Sequence, residues 1–205
     1  MEYRKIGRAG LKVSEICLGS MTFGGSTDLR EARRIVDLAF DAGINYIDTA
    51  DGYSKGVSEE MLGKILKGKR RDVVLATKFF NQMGGGPNDS GHSRVHIMNA
   101  IEDSLRRLGT DHIDLYQIHG WDSLTPLEET MGALTTAVQQ GKALYVGVSS
   151  YGPTATAEAA AMLRDAGTPC LVHQPSYSLL NRWIERGLLE VTEAEGMGVV
   201  VFSPL

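Results

Sequence analysis

Short apolar runs alternate along this chain with longer stretches in which apolar residues return every three or four positions. Seven runs predict strands: Glu15 to Leu18, Ile44 to Ile47, Val73 to Ala76, Ile113 to Ile118, Leu144 to Val148, Leu171 to His173 and Val199 to Phe202. Six amphipathic stretches between them predict helices. The first begins at Asp28, carries Ala32, Ile35, Ala39 and Ala42 on one face and ends at Gly43. Ser58 to Leu66 follows, then a helix with Ile97, Ile101, Leu105 and Leu108 at helical spacing and Gly109 as its C-terminal cap. Leu127 to Gln140, Thr154 to Ala166 and Ile184 to Ala194 complete the set, and the polar opening before the first strand is read as a hairpin.

Strands that alternate with covering helices predict an α/β fold with a parallel sheet. Seven such strands exceed what a small doubly wound sheet needs and fall one unit short of a (β/α)₈ TIM barrel. Closing a barrel with seven strands would leave two edges of unpaired backbone groups. Residues 1–205 are therefore expected to form a single barrel domain covering about seven of the eight βα units, with the eighth lying beyond the last residue.

Charge narrows the partners. A net charge of −4 argues against a general nucleic-acid binder, which needs a basic face, and favours small molecules. No stretch approaches the ~20 apolar residues that span a bilayer, and Met1 to Lys5 lacks the apolar run of a secretory signal. Cys17 and Cys170 sit apart in apolar surroundings, as reduced structural cysteines would, so a cytoplasmic location without membrane contact is expected. The sequence leaves the oligomeric state open, a homo-oligomer included.

In a parallel barrel the chemistry gathers where the strands end. Here the second strand runs into Asp48-Thr49-Ala50-Asp51-Gly52-Tyr53, the third into Thr77-Lys78 and the fourth into Gln117-Ile118-His119. An Asp, a Tyr, a Lys and a His at one mouth suit the reduction of a carbonyl, whose oxygen needs a proton as hydride reaches carbon. Tyr53 can donate that proton if the Lys78 ammonium draws its phenol down from its usual pKa of ~10. Asp48 would hold Lys78 charged and in place, and His119 would orient the carbonyl oxygen by hydrogen bonding or share in the proton relay. Each residue alone has an ordinary structural reading, as turn cap, loop aromatic, strand-end charge or buried histidine; their placement after successive strands gives the set its weight.

These residues resemble the signatures of the aldo-keto reductases. Gly10 to Ser14 with Leu18-Gly19, Gly43 to Ala50 with Tyr53, then Lys78, then Asp114 to His119 follow that family's order, and the likeness runs over essentially the whole chain. Residues His173 to Arg182 resemble most the branch with bacterial glyceraldehyde 3-phosphate reductases and the β subunits of voltage-gated potassium channels. The resemblance implies a TIM barrel that uses NADPH to reduce a small aldehyde or ketone, with Asp48, Tyr53, Lys78 and His119 as catalytic residues. It also implies that Ser149, Ser150 and Gln174 hold the nicotinamide carboxamide, that Phe202 stacks on its ring, and that Ser203 and Leu205 border the cofactor. Ser150 stands where many members carry Asn, and Phe202 where many carry Tyr. Residues gripping the 2′-phosphate lie after the eighth strand in this family, so the choice of NADPH rests on resemblance. The alternative is a regulatory subunit of the same fold that keeps cofactor and turns over little.

Three other signals carry less. Gly84-Gly85-Gly86 lacks the Gly-Lys-Ser/Thr of a phosphate loop and reads as a loop over the mouth. His92 and His96 have no further ligands nearby, so no metal is expected. Trp121, two residues past His119, is a candidate for the substrate pocket.

Overall fold

The computed structural model describes residues 1–205. A hairpin of β1 (Tyr3–Lys5) and β2 (Lys12–Ser14) opens the chain. The elements then alternate: β3 (Leu18–Gly19), α1 (Leu29–Asp41), β4 (Tyr46–Asp48), α2 (Val57–Ile65), β5 (Val74–Phe79), α3 (Arg94–Leu108), β6 (Ile113–Ile118), α4 (Leu127–Gln139), β7 (Ala143–Ser149), α5 (Pro153–Asp165), β8 (Cys170–Gln174), α6 (Leu188–Glu195) and β9 (Gly198–Val199). Strands β3 to β9 form one parallel sheet in chain order, so each strand pairs with the next and helices cover the outside. This is seven strands of the predicted eight-stranded architecture, with β3 and β9 as the edges. No helix is long and apolar enough to cross a membrane, and both cysteines are free.

Local chemistry explains the helix ends. Asp28 caps α1 by accepting from the Glu31 N–H, Ser93 caps α3 by accepting from that of His96, and Pro153 opens α5, where its missing N–H is harmless. Gly109 closes α3 with φ 64°, as the sequence predicts. Three expected elements differ. Only the end of the first run joins the parallel sheet, because Glu15 instead continues the hairpin, its N–H reaching the Glu2 carbonyl at 3.2 Å. Gly187, at φ 95°, splits the last helix into a short turn at Trp183–Glu185 and α6. The final strand is shorter than predicted, and Phe202 lies past it in an isolated bridge to Ser176.

Two cores follow from the alternation of side chains along each strand. Outward residues such as Ile47, Leu75, Tyr116 and Val148 join the helices in the larger core. Inward residues Tyr46, Val74, Ala76, Leu115 and Val172 form a smaller one, stoppered at the N-terminal end by Ile6 and Val13 of the hairpin segment. Moving along the inner face by two residues, each column turns polar: Tyr46 gives way to Asp48, Ala76 to Lys78, Leu115 to Gln117 and Val172 to Gln174. The fold thus has an apolar floor and a polar mouth.

Helices α2 and α3 approach closely through Gly63, where a Cβ would lie 2.6 Å from the Arg107 carbonyl and 2.8 Å from that of Leu108. Backbone cannot yield there as a side chain would. Gly63→Ala is expected to lower unfolding stability by about 1–3 kcal/mol in urea titration, despite the better helix propensity of alanine.

Candidate active site

The polar mouth converges on Asp48. Its Oδ2 accepts from Lys78 Nζ at 2.6 Å, and its Oδ1 faces Gln174 Nε2 at 3.2 Å and Gln117 Nε2 at 3.4 Å. Lys78 also donates to the Thr49 carbonyl at 2.6 Å and is only 1% exposed. Register accounts for this meeting, since Asp48 lies opposite Ala76 and Lys78 opposite Gln117 on adjacent strands. Burial pushes the Lys78 ammonium down, but Asp48 and then Tyr53 more than reverse this, so it stays charged.

Tyr53 sits 5.1 Å from Lys78 Nζ, measured to the ring centroid, and 5.7 Å from the His119 ring at an edge-on 77°. It begins a turn in which Ser54, Lys55 and Gly56 have φ of 49°, 53° and 91°. The turn is tied down from α2, where the Ser58 hydroxyl meets Ser20 Oγ at 2.8 Å and Thr49 Oγ1 at 3.0 Å, all three residues fully buried. The phenol departs from the sequence expectation. Burial raises its pKa, the pull of Lys78 only partly offsets this, and it ends above the usual tyrosine value. A phenol in this position holds its proton at neutral pH. Burial, helped by Lys78, pushes His119 down to about 4, so its imidazole is neutral.

A cavity of about 700 Å³ lies in the gap between the edge strands β3 and β9, lined mostly by the hairpin segment, including Arg4, Val13 and Ile16, and by Gly198 to Val201, and it includes Asp48, Gln174, Phe202 and Ser203. Phe202 is 42% exposed and offers an aromatic face, while Gln174, with its Nε2 on Asp48, has its oxygen available to accept. Ser149 directs its hydroxyl to the Gln174 carbonyl at 2.7 Å, and Ser150 follows with φ 60°. Four non-glycine residues in the chain have positive φ: Ser54, Lys55, Ser150 and Ser203. Ser54 and Lys55 follow Tyr53 directly, and Ser150 and Ser203 are themselves marked by the sequence for the site; such strain gathers at functional positions. These residues fit a nicotinamide cofactor. Leu205 does not line the cavity and is fully exposed. Trp121 stands at the mouth, 45% exposed, edge-on to the buried Tyr151 at 4.8 Å.

Other signals find structural roles. The glycine loop folds on itself, with Gly86 N–H held by Asp89 Oδ2 at 2.7 Å, which leaves no cradle for phosphate. His92 packs against Phe79 and Phe80, and no three metal-ligating side chains come together. A groove of about 880 Å³ between α2 and α3 is lined almost wholly by polar and charged groups such as Lys64, Lys67, Asp103 and Arg106, and extends to Asp51, Lys55 and the glycine loop.

Sequence reasoning gave no role to a layer behind the site. Glu59, fully buried, accepts from Thr77 Oγ1 at 2.5 Å and from Arg107 Nε at 2.6 Å. Beside it Asp51, equally buried, has neither oxygen in a hydrogen bond. Burial and the Glu59 charge push the Asp51 carboxyl up to about 7, and the Gly52 N–H, Arg107 and Asn81 draw it back only in part. A carboxyl with a raised pKa favours the fold below its unfolded value and disfavours it once ionised. Stability is therefore expected to fall by about 3 kcal/mol between pH 4 and pH 7 on this account, and Asp51→Asn should flatten that limb in pH-dependent urea unfolding.

The sequence profile of the Aldo/keto reductase family matches residues 15–205, and the chain belongs to that family. It is 41% identical over 213 residues to the L-glyceraldehyde 3-phosphate reductase of Escherichia coli K12, all of this chain aligning with 62% of that relative. It is 43% identical over 217 residues to an uncharacterized oxidoreductase of Bacillus subtilis, of which it covers 67%. A probable voltage-gated potassium channel subunit beta of Oryza sativa subsp. japonica matches at 37% over 212 residues, with 64% of its length covered. The chain thus spans a little under two thirds of the E. coli relative it matches.

Proposed function

We propose that the protein reduces small aldehydes or ketones to alcohols with NADPH, Tyr53 acting as the general acid, in the cytoplasm. The observation that carries this reading is the buried Lys78–Asp48 pair beneath a Tyr53 that faces His119 across the mouth. When bound, NADPH supplies the hydride to the carbonyl carbon. Tyr53 gives its proton to the oxygen, Lys78 steadies the resulting phenolate, and Asp48 keeps Lys78 charged and in place. Neutral His119 donates a hydrogen bond to the same oxygen. Phe202, Gln174, Ser149 and Ser150 are the residues that would hold the nicotinamide, with Ser203 beside them, and Trp121 would border the substrate.

The relative named as an L-glyceraldehyde 3-phosphate reductase supports a short phosphorylated aldehyde as a substrate to try. A second reading is favoured by the relative named as a potassium channel subunit, namely a cofactor-holding regulatory subunit with little turnover. NADPH oxidation by the full-length protein over a panel with glyceraldehyde 3-phosphate and methylglyoxal separates them. Saturable turnover supports the reductase; tight NADPH binding without turnover supports the subunit, and failure to bind NADPH ends both.

A further inference from the structure

Asn81 follows β5 by two residues, and His119 follows β6 by one. Since Phe79 lies opposite Ile118 and the His119 N–H reaches the Phe79 carbonyl at 3.1 Å, the two loops leave the sheet side by side. Asn81 Nδ2 then meets His119 Nδ1 at 3.4 Å. Behind the amide, the bare backbone of Gly52 closes in: a Cβ there would overlap Asn81 Nδ2 and come within 2.7 Å of its Cγ. Asn81 is thus packed between the Tyr53 loop and the His119 loop, and the Asp51 carboxyl lies close enough to feel its amide. The amide presents its nitrogen, a donor, to the His119 ring.

A neutral imidazole has one donor and one acceptor nitrogen, and the partner of one decides the role of the other. We propose, on the reductase reading above, that Asn81 is a positioning residue: by donating to Nδ1 it fixes His119 as the Nε2–H tautomer and turns that N–H toward the oxygen that Tyr53 protonates. The His119 Nε2 makes no hydrogen bond within the chain, and its ring meets Tyr53 edge-on, so two donors face one space. Gly52 takes its place in the same device as the residue that lets the amide approach.

Asn81→Asp tests this, because a carboxylate of nearly the same shape can only accept from Nδ1 and so demands the other tautomer. Long-range ¹H–¹⁵N NMR of His119 in the full-length protein at pH 7.5 should show Nε2–H in the wild type, Nδ1–H in Asn81→Asp and a mixture in Asn81→Ala. Carbonyl-reduction kcat should fall about a hundredfold in Asn81→Asp, the scale of losing one hydrogen-bond donor to the reacting oxygen, and about tenfold in Asn81→Ala, with NADPH affinity unchanged in both. An Nδ1–H wild-type ring, or the wild-type tautomer in Asn81→Asp, overturns the assignment. The NMR pattern is read without turnover, so a protein that fails to reduce carbonyls still decides the tautomer, and the two failures remain distinct.

Discussion

Replacing Tyr53 with phenylalanine is expected to lower kcat for carbonyl reduction by about 10²- to 10⁴-fold, with cofactor affinity and the unfolding midpoint close to wild type. The substitution removes one oxygen and keeps the ring. Its edge contact with His119 and the Lys78 ammonium above its face therefore survive, and with them the turn built on Ser54 to Gly56. What disappears is the proton. Because burial holds the phenol protonated in spite of Lys78, Tyr53 carries the proton that the reductive direction needs at neutral pH, while the reverse oxidation needs its phenolate. Oxidation of an alcohol should accordingly rise with pH through the alkaline range in the wild type and show no such limb in Tyr53→Phe. Steady-state rates in both directions check this, and full reductive activity in the variant would remove Tyr53 from the role.

The difference between what could be read from the chain and what could not has a physical basis. Strand and helix order was legible because every unit repeats the same problem, an apolar strand that must be covered by one amphipathic face. The meeting of Asp48, Tyr53, Lys78 and His119 was legible because parallel order sends all strand ends to one side. The layer behind them was not. Glu59 and Arg107 look like surface charges on α2 and α3, and only the close crossing at Gly63 brings them to Thr77. Asn81 sits in a polar loop with no period to mark it, and its place beside His119 depends on how two loops leave the sheet. Gln117 was visible at a strand end, yet its reach to Asp48 follows from the register of β5 and β6. The net direction at Tyr53 was misjudged for a related reason: a lysine can be seen in a sequence, whereas the desolvation that outweighs it depends on what packs around the ring.

Asp48→Ala should reduce stability by about 3–5 kcal/mol and abolish turnover together, because it strands a buried ammonium. Lys78 would keep the Thr49 carbonyl alone, and the amide donors of Gln117 and Gln174 would lose their shared acceptor. Breaking a buried pair differs from removing it, since the desolvation of both ions is already set against their attraction. The double variant Asp48→Leu with Lys78→Met is therefore expected to regain most of the lost stability, in a column whose next residues inward are Tyr46 and Ala76. It should remain inactive, with nothing to steady a phenolate at Tyr53. Urea unfolding at pH 7 gives the first half of this comparison and NADPH oxidation the second. Recovery of stability without activity would mean that the pair is kept for its chemistry at the mouth; a double variant as unstable as Asp48→Ala would mean that the pair holds the strand ends together.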